Sequence, residues 1–293
     1  MLPPRLFALA LAAFVAPAAP VLAQAADPAA QGAAATAPDA AADAQAASAD
    51  LPAICTDRPT KSNAACTVDA GHFQYESDVF NGSFLRLGGV TTDTYLVTNP
   101  TLKYGLSKTV DIEANIAPYE VVRTHDKFGG GDTLGGVGDL YLRLKWNAYT
   151  SADGKLSFAL LPYIKAPTAR LGVGDGAVEG GMILPVNYKL TDKITLTTAP
   201  EVDAFKDSVG DGRHLNTAQL INVGYSLPHN VTIYGELWGD WNYDPVRTVR
   251  QYSADTAVAW GLTKYLQVDA GLNFGLNRYT PGVQAYFGVS QKF

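Results

Sequence analysis

From about residue 71 to the C-terminus, apolar and polar side chains alternate with a period of two. Leu266, Val268, Ala270, Leu272, Phe274 and Leu276 interleave with Gln267, Asp269, Gly271, Asn273 and Gly275. Successive side chains of a strand point to opposite faces, so this stretch carries one apolar and one polar face. Val110, Ile112, Ala114 and Ile116 stand in the same way against Asp111, Glu113 and Asn115. Leu140, Leu142, Leu144 and Trp146 alternate with Tyr141, Arg143 and Lys145, and Val283, Ala285, Phe287 and Val289 with Gln284, Tyr286, Gly288 and Ser290. A helix would scatter these residues around its circumference.

The pattern predicts strands over 71–80, 93–105, 110–121, 137–148, 155–165, 177–190, 193–205, 214–226, 231–242, 251–262, 265–276 and 281–293. They are longer than the ~5–6 residues usual in soluble sheets and suit the ~9–11 residues of a tilted bilayer-crossing strand. In hydrocarbon a sheet satisfies its backbone only by closing on itself. The expected fold class is therefore all-β: a transmembrane antiparallel up-and-down β-barrel of about 12 strands. Short connections at Ser107-Lys108-Thr109, Ser151 to Gly154, Thr191-Asp192, Pro228-His229-Asn230 and Thr263-Lys264 alternate with longer ones at 81–92, 122–136, 166–176, 206–213, 243–250 and 277–280. Short turns on the periplasmic side and longer external loops put both termini in the periplasm. Pro100, Pro118, Pro162, Pro185 and Pro200 fall inside these strands, where each should mark a bulge, bend or broken pair. Tyr104, Trp146, Tyr149, Tyr188, Trp238, Trp241, Trp260 and Tyr265, near strand ends, suit interfacial girdles, although Trp238 has lumenal parity.

Composition changes the picture mainly at the N-terminus. Arg5, the apolar run Leu6 to Val15 and Val21-Leu22-Ala23 read as a signal peptide over 1–23, with a buried helix as the other reading. Residues 24–50 are Ala, Asp, Gln, Ser and Pro with almost no large side chains, the makeup of a disordered Ala-rich tether. Residues 51–70 form a periplasmic N-terminal segment, and 71–293 the barrel. A net charge of -6 leaves no basic footprint for nucleic acid. Two cysteines are too few for a disulfide-built fold, but Cys55 and Cys66 lie in an oxidising compartment and suit a bridge across a short loop. Metal binding there is disfavoured, since no CxxC spacing exists and the nearest His is His72.

Strand parity turns a set of polar and aromatic residues inward. Lumen-lining candidates are Glu76, Asp111, Glu113, Tyr141, Arg143, Lys145, Tyr163, Glu201, Asp203, Tyr234, Glu236, Trp238, Asp269 and Tyr286. Facing lipid, the bases among them would cost ~2–4 kcal/mol each near the midplane. They serve either as a rigidifying network or as a polar passage with a mild preference for cations or neutral polar solutes. The Gly-rich run from Gly129 to Gly138 lacks the Lys-Ser/Thr pair and the helix of a phosphate cradle, and is expected to be a flexible external loop. His72, His125, His214 and His229 are scattered, with neither HExxH nor GxSxG present, so no enzyme activity, cofactor or metal is expected.

Thr56-Asp57-Arg58-Pro59, followed by Val68, Gly71, Gln74 and Glu76, resembles the opening signature of an outer-membrane family. Gly136-Val137-Gly138-Asp139-Leu140, leading to Lys145, resembles its Gly-x-Gly-Asp strand start, and Lys165-Ala166-Pro167-Thr168 its Lys-x-Pro-Thr turn. The family is described as "putative MetA-pathway of phenol degradation" and often simply as "transporter". The resemblance covers most of the chain after about residue 55 and implies an outer-membrane barrel of Gram-negative bacteria that takes up aromatic or other small organic solutes. The Cys pair is not part of the pattern. No catalytic residues come with the resemblance; Asp57, Arg58, Pro59, Gly138 and Asp139 read as structural motif positions, with Asp57, Arg58 and Asp139 as a latch near the periplasmic mouth. The terminal Phe293 resembles the signal read by the barrel-assembly machinery, which with outer-membrane lipid completes the expected partners. The leading expectation is a porin-like channel or transporter. The alternative is a closed structural, assembly or adhesion barrel that transports nothing.

Overall fold

A computed structural model describes residues 52–293; the expected signal peptide over 1–23 and Ala-rich tether over 24–50 lie outside the described residues. Every regular element among them is a strand. In chain order these are β1 (Phe73–Leu87), β2 (Val90–Gly105), β3 (Val110–Asn115), β4 (Tyr119–Asp126), β5 (Gly131–Gly136), β6 (Leu140–Thr150), β7 (Leu156–Ala166) and β8 (Glu179–Ile183). They continue as β9 (Val186–Lys189), β10 (Ile194–Thr198), β11 (Glu201–Lys206), β12 (Arg213–Leu227), β13 (Val231–Asn242), β14 (Val249–Gly261), β15 (Leu266–Gly275) and β16 (Val283–Lys292). Four consecutive pairs are halves of single staves. The edge of β2, for instance, pairs with β3 over Thr101 to Gly105 and with β4 over Val90 to Thr98. Likewise β5 continues into β6, β8 into β9 and β10 into β11, which leaves twelve antiparallel staves. The sheet closes where β1 meets β16, from Gln74 opposite Lys292 to Phe84 opposite Val283. Closure leaves no free first or last stave, as a hydrocarbon environment requires, and among the described strands β5 alone pairs on one side only.

The prolines explain the broken staves. Pro118 lies between β3 and β4, Pro185 between β8 and β9, and Pro200 between β10 and β11. Pro100 sits where β2 changes partner. Pro162 lies at a gap in the β6–β7 ladder, between the pairs Arg143–Tyr163 and Trp146–Leu160. A residue without an N–H cannot hold its rung, and each stave bends there. Staves β12 to β16 carry no such interruption and pair in register throughout. The wall is therefore kinked in its first seven staves and regular in its last five.

Two expected loops are strands. The loop assigned to 81–92 is a hairpin extension in which β1 and β2 run on to a two-residue turn, Gly88-Gly89, with φ of 62° and 84°. The loop assigned to 122–136 is the β4–β5 hairpin, and the Gly-rich run expected to be flexible pairs with β4 over Gly131 to Gly136. Beyond the bilayer nothing demands an apolar outer face, so the period-two pattern fades while the backbone ladder persists.

Burial separates the two faces of the wall. Ile112, Leu142, Leu144, Ile164, Ile221, Ile233, Leu237, Val258, Leu272 and Phe287 are exposed on the outside, whereas Glu76, Asp111, Glu113, Lys145, Asp203, Asn222, Glu236 and Asp269 are buried on the inside. Trp146, Tyr149, Tyr188 and Trp260 form an exposed aromatic girdle toward the end that carries the termini and the short turns. Trp238 does not belong to a girdle. It packs inside the barrel against Leu161, Ile183, Ala199 and Leu220.

Candidate functional site

The lumen is the site, and residues 52–72 fill its turn end. A Cys55–Cys66 disulfide closes the middle of this segment into a loop, with Cα atoms 6.2 Å apart. Three charged side chains then seat it. Asp57 accepts from Lys145 Nζ at 2.6 and 2.8 Å and also pairs with Lys103. Lys103 in turn reaches Glu76 at 2.7 Å, and Lys145 reaches Glu113 at 3.1 Å. Arg58 donates to Asp78 at 2.5 Å and forks onto Asp269 at 3.1 and 2.6 Å. Lys61 Nζ donates to Asp255 at 2.5 Å, and its backbone N–H to Glu236 at 3.1 Å. Backbone N–H groups of Ala65 and Val68 donate to Asn187 and Asp111, so a segment without strand partners still satisfies its polar groups. Burial works to raise the Asp57 carboxyl, but Lys103 and Lys145 overcome it and hold the group well below the usual carboxylate range.

A second inward element is the connection after β7. Thr168 Oγ1 donates to the Gly138 carbonyl at 2.9 Å, and the Ala169 N–H donates to Asp139 Oδ1 at 2.9 Å. Lys165 joins Asp175 at 2.6 Å, Glu179 at 2.8 Å and Asp139 at 3.6 Å. The Gly-Asp and Lys-x-Pro-Thr motifs are thus two halves of one joint, which holds residues 167–178 over the lumen; Asp139 works at this loop end and not in a latch with Asp57 and Arg58, because its strand enters the sheet from the loop side.

Four cavities run past these two elements. On the loop side one of about 1110 Å³ is lined by Glu201, Asp203, His214, Asn216, Trp238 and Asp240 among others. A neighbour of about 790 Å³, lined by Tyr141, Arg143, Lys165 and Asp139, shares Asp175 with it. The second shares Asn81 and Gln284 with a 220 Å³ cavity at Arg58, Lys61 and Tyr286. That one shares Arg58 and Thr60 with a 190 Å³ cavity at the turn end, walled by Asn187, Thr195, Thr197, Asn222 and Tyr234. The four cavities thus adjoin in succession from the loop end toward the turn end, along one side of the inserted segment. A further groove of about 780 Å³, along Val223, Ile233, Gly235, Val258 and Leu272, lies on the lipid-facing side.

A family model described as "Putative MetA-pathway of phenol degradation" matches residues 56–293. The chain belongs to that family. The match opens at Thr56, so the segment seated in the lumen is inside the family's boundary from Thr56 onward, with Cys55 just before it. Among solved structures, the COG4313 outer membrane channel from Pseudomonas putida F1 is 13% identical, with a TM-score of 0.64 over 80% of this chain and 100% of that one. The translocator domain of the autotransporter NalP from Neisseria meningitidis is 11% identical, with a TM-score of 0.48 over 77% of this chain and 90% of that one. At 13% identity the first likeness shows a shared fold, that of an outer-membrane barrel. No curated protein matches the chain.

The residues that parity turned inward fall into distinct groups. Glu76, Asp111, Glu113, Lys145, Glu236 and Asp269 hold the inserted segment or border its anchors. Tyr141 and Arg143 line the 790 Å³ cavity, and Tyr163 binds Asp203 at 2.7 Å. Glu201, Asp203 and Trp238 line the largest cavity, Tyr286 the 220 Å³ cavity and Tyr234 the cavity at the turn end. Phe293 is exposed, its N–H donating to the Phe73 carbonyl.

Two groupings escaped the sequence. Leu161, Ile183, Ala199 and Leu220 are apolar yet lumenal; extending the phase of Tyr163 and Lys165 back to Leu161 would have disclosed the first of them. Asp207, His214 and Asp244 come within 4.8 Å of one another, although no spacing along the chain announces it. His214 Nδ1 lies 3.0 Å from Asp207 and 3.7 Å from Asp244, tying together the connections after β11 and β13.

Proposed function

We propose that this protein sits in the outer membrane with both termini periplasmic and conducts small organic solutes, aromatic ones among them. The observation that carries this is the run of adjoining cavities, each sharing lining residues with the next, that lies along the lumen beside the inserted segment. Its walls are polar, with Tyr141, Tyr234 and Tyr286 offering flat apolar faces beside hydrogen-bonding groups. The family description, which names phenol degradation, and the channel title of the similar Pseudomonas putida structure support the same reading. Insertion proceeds through the barrel-assembly machinery, with Phe293 as its terminal signal, and the apolar outer band meets lipid directly.

Purified, folded protein in planar bilayers should give discrete conductance steps in potassium chloride, and these should be small because the turn-end cavity holds only about 190 Å³. Repeated insertions without current would sink the reading. Silence would favour the alternative of a closed structural or assembly barrel. That alternative draws on the dense pairing of Arg58, Lys61, Lys103 and Lys145 at the turn end.

A further inference from the structure

Three acids of the 1110 Å³ cavity stand apart from its two lining cations, Lys206 and Arg247. Glu201 and Asp203 come from β11 and Asp240 from β13, with β12 between them. No Lys or Arg among the described residues lies within 4.0 Å of any of the three. Arg143 acts on Glu201 from beyond that distance and reaches toward Glu113 at 3.9 Å. Around the inserted segment, by contrast, Glu76, Asp78, Glu113, Asp255 and Asp269 each meet a Lys or Arg, which is how buried charge is normally accommodated.

The shape around the acids is a recess. Ala218 on β12 stands opposite Glu201 on one side and Asp240 on the other, so the two acids flank a methyl group across two strand spacings, roughly 10 Å. One rung toward the turn end, Leu220 faces Trp238, which supplies an aromatic wall. One rung toward the loop end, Asn216 faces Asp203. The Asn216 amide N–H groups donate to Asp203 at 3.1 Å and Asp240 at 2.8 Å, which fixes the orientation of the amide. Its Oδ1 is then a buried acceptor without a partner, in a side chain only 2% exposed on the wall of the cavity. The open hydrogen-bonding capacity at this spot is an acceptor, and the uncompensated charge is negative.

From this we infer that the recess around Ala218 binds a small organic cation bearing ammonium N–H donors. The ammonium meets Asn216 Oδ1 and the Asp203 and Asp240 carboxylates, and the carbon body lies toward Trp238. The inference deepens the channel reading and rests on it for purpose: the recess is the selectivity station of the loop-side vestibule. A neutral phenol lacks the charge this station requires, and a carboxylate is repelled by it.

The test is equilibrium titration of the full-length protein in detergent micelles with 1,4-diaminobutane, followed by calorimetry. Saturable uptake is expected, with none for succinate at equal concentration. Glu201→Gln combined with Asp240→Asn should weaken uptake by about tenfold or more, the size of one lost charge-assisted hydrogen bond. Ala218→Leu fills the recess and leaves every charge in place, so it should abolish uptake in a barrel that still shows heat-modifiable migration. The inference is overturned if the wild type takes up no diamine, if succinate binds as well, if calcium binds and the diamine does not, or if Ala218→Leu binds like the wild type. Conductance is read separately. Current without diamine uptake removes this inference alone, whereas uptake in a barrel that carries no current supports the recess and removes the channel.

Discussion

At the scale of single residues, Asp57 carries the seating of the inserted segment. Its carboxylate stands between two buried ammonium groups and also accepts the Ala64 N–H at 2.7 Å. Asp57→Asn would leave Lys103 and Lys145 short of a counter-charge and should cost about 3 kcal/mol, in the range for breaking a buried pair. Protonation should act in the same direction. The folded group is held below its ordinary pKa, so its contribution is complete above ~4 and is lost as pH falls through the lower folded value. Hydrogen exchange over residues 56–66 should therefore be unchanged from pH 7 to about 5 after correction for the intrinsic rate. It should rise in Asp57→Asn already at pH 7; an unchanged profile in the variant would contradict the assignment. Parity made the wet side of Lys145, Glu113 and Asp269 legible from the chain. It could not disclose what they meet, because Arg58 and Asp269 are 211 positions apart and are joined only by closure of the sheet.

Among elements, the β1–β2 hairpin stands well clear of the alternating pattern that predicted its lower half. Its turn depends on Gly88 and Gly89, both in the left-handed region where a β-carbon is strained, and no side chain crowds either position. Gly89→Val should cost about 1–2 kcal/mol from backbone strain alone. A shift of the urea midpoint of refolded protein, with the barrel still heat-modifiable, would measure it; a neutral result would mean the turn re-forms in another type. The strands below the turn were readable because lipid enforces one apolar face. The upper parts were not, since Asn81, Ser83 and Thr92 read as a loop until their rungs are seen. The prolines show the reverse: their positions marked where the ladder breaks, but only the pairing revealed that the breaks fall in the first seven staves.

For the whole molecule, the decisive property is that the wall is one residue thick, so neighbouring positions on a strand meet opposite media. Ile221 is 59% exposed toward lipid and Asn222 only 2% exposed toward the lumen. Ile221→Lys should destabilise the barrel by ~2–4 kcal/mol if it lies near the midplane. Asn222→Lys, which places its ammonium beside Glu236, should fold nearly as well as the parent; equal losses in a refolding titration into vesicles would refute the assignment of faces. The chain by itself determined the period, the number of crossings and the two faces, because these follow from local geometry and from the cost of polar groups in hydrocarbon. The family resemblance in turn marked Asp57, Arg58 and Asp139 as structural positions. Only the tertiary structure decided that residues 52–72 enter the lumen, that the Gly-Asp and Lys-x-Pro-Thr motifs form one joint, and that three acids surround Ala218 without a cation. These are contacts between segments brought together by closing the sheet, and no periodicity along a chain encodes which inward residues will face one another across the space it encloses.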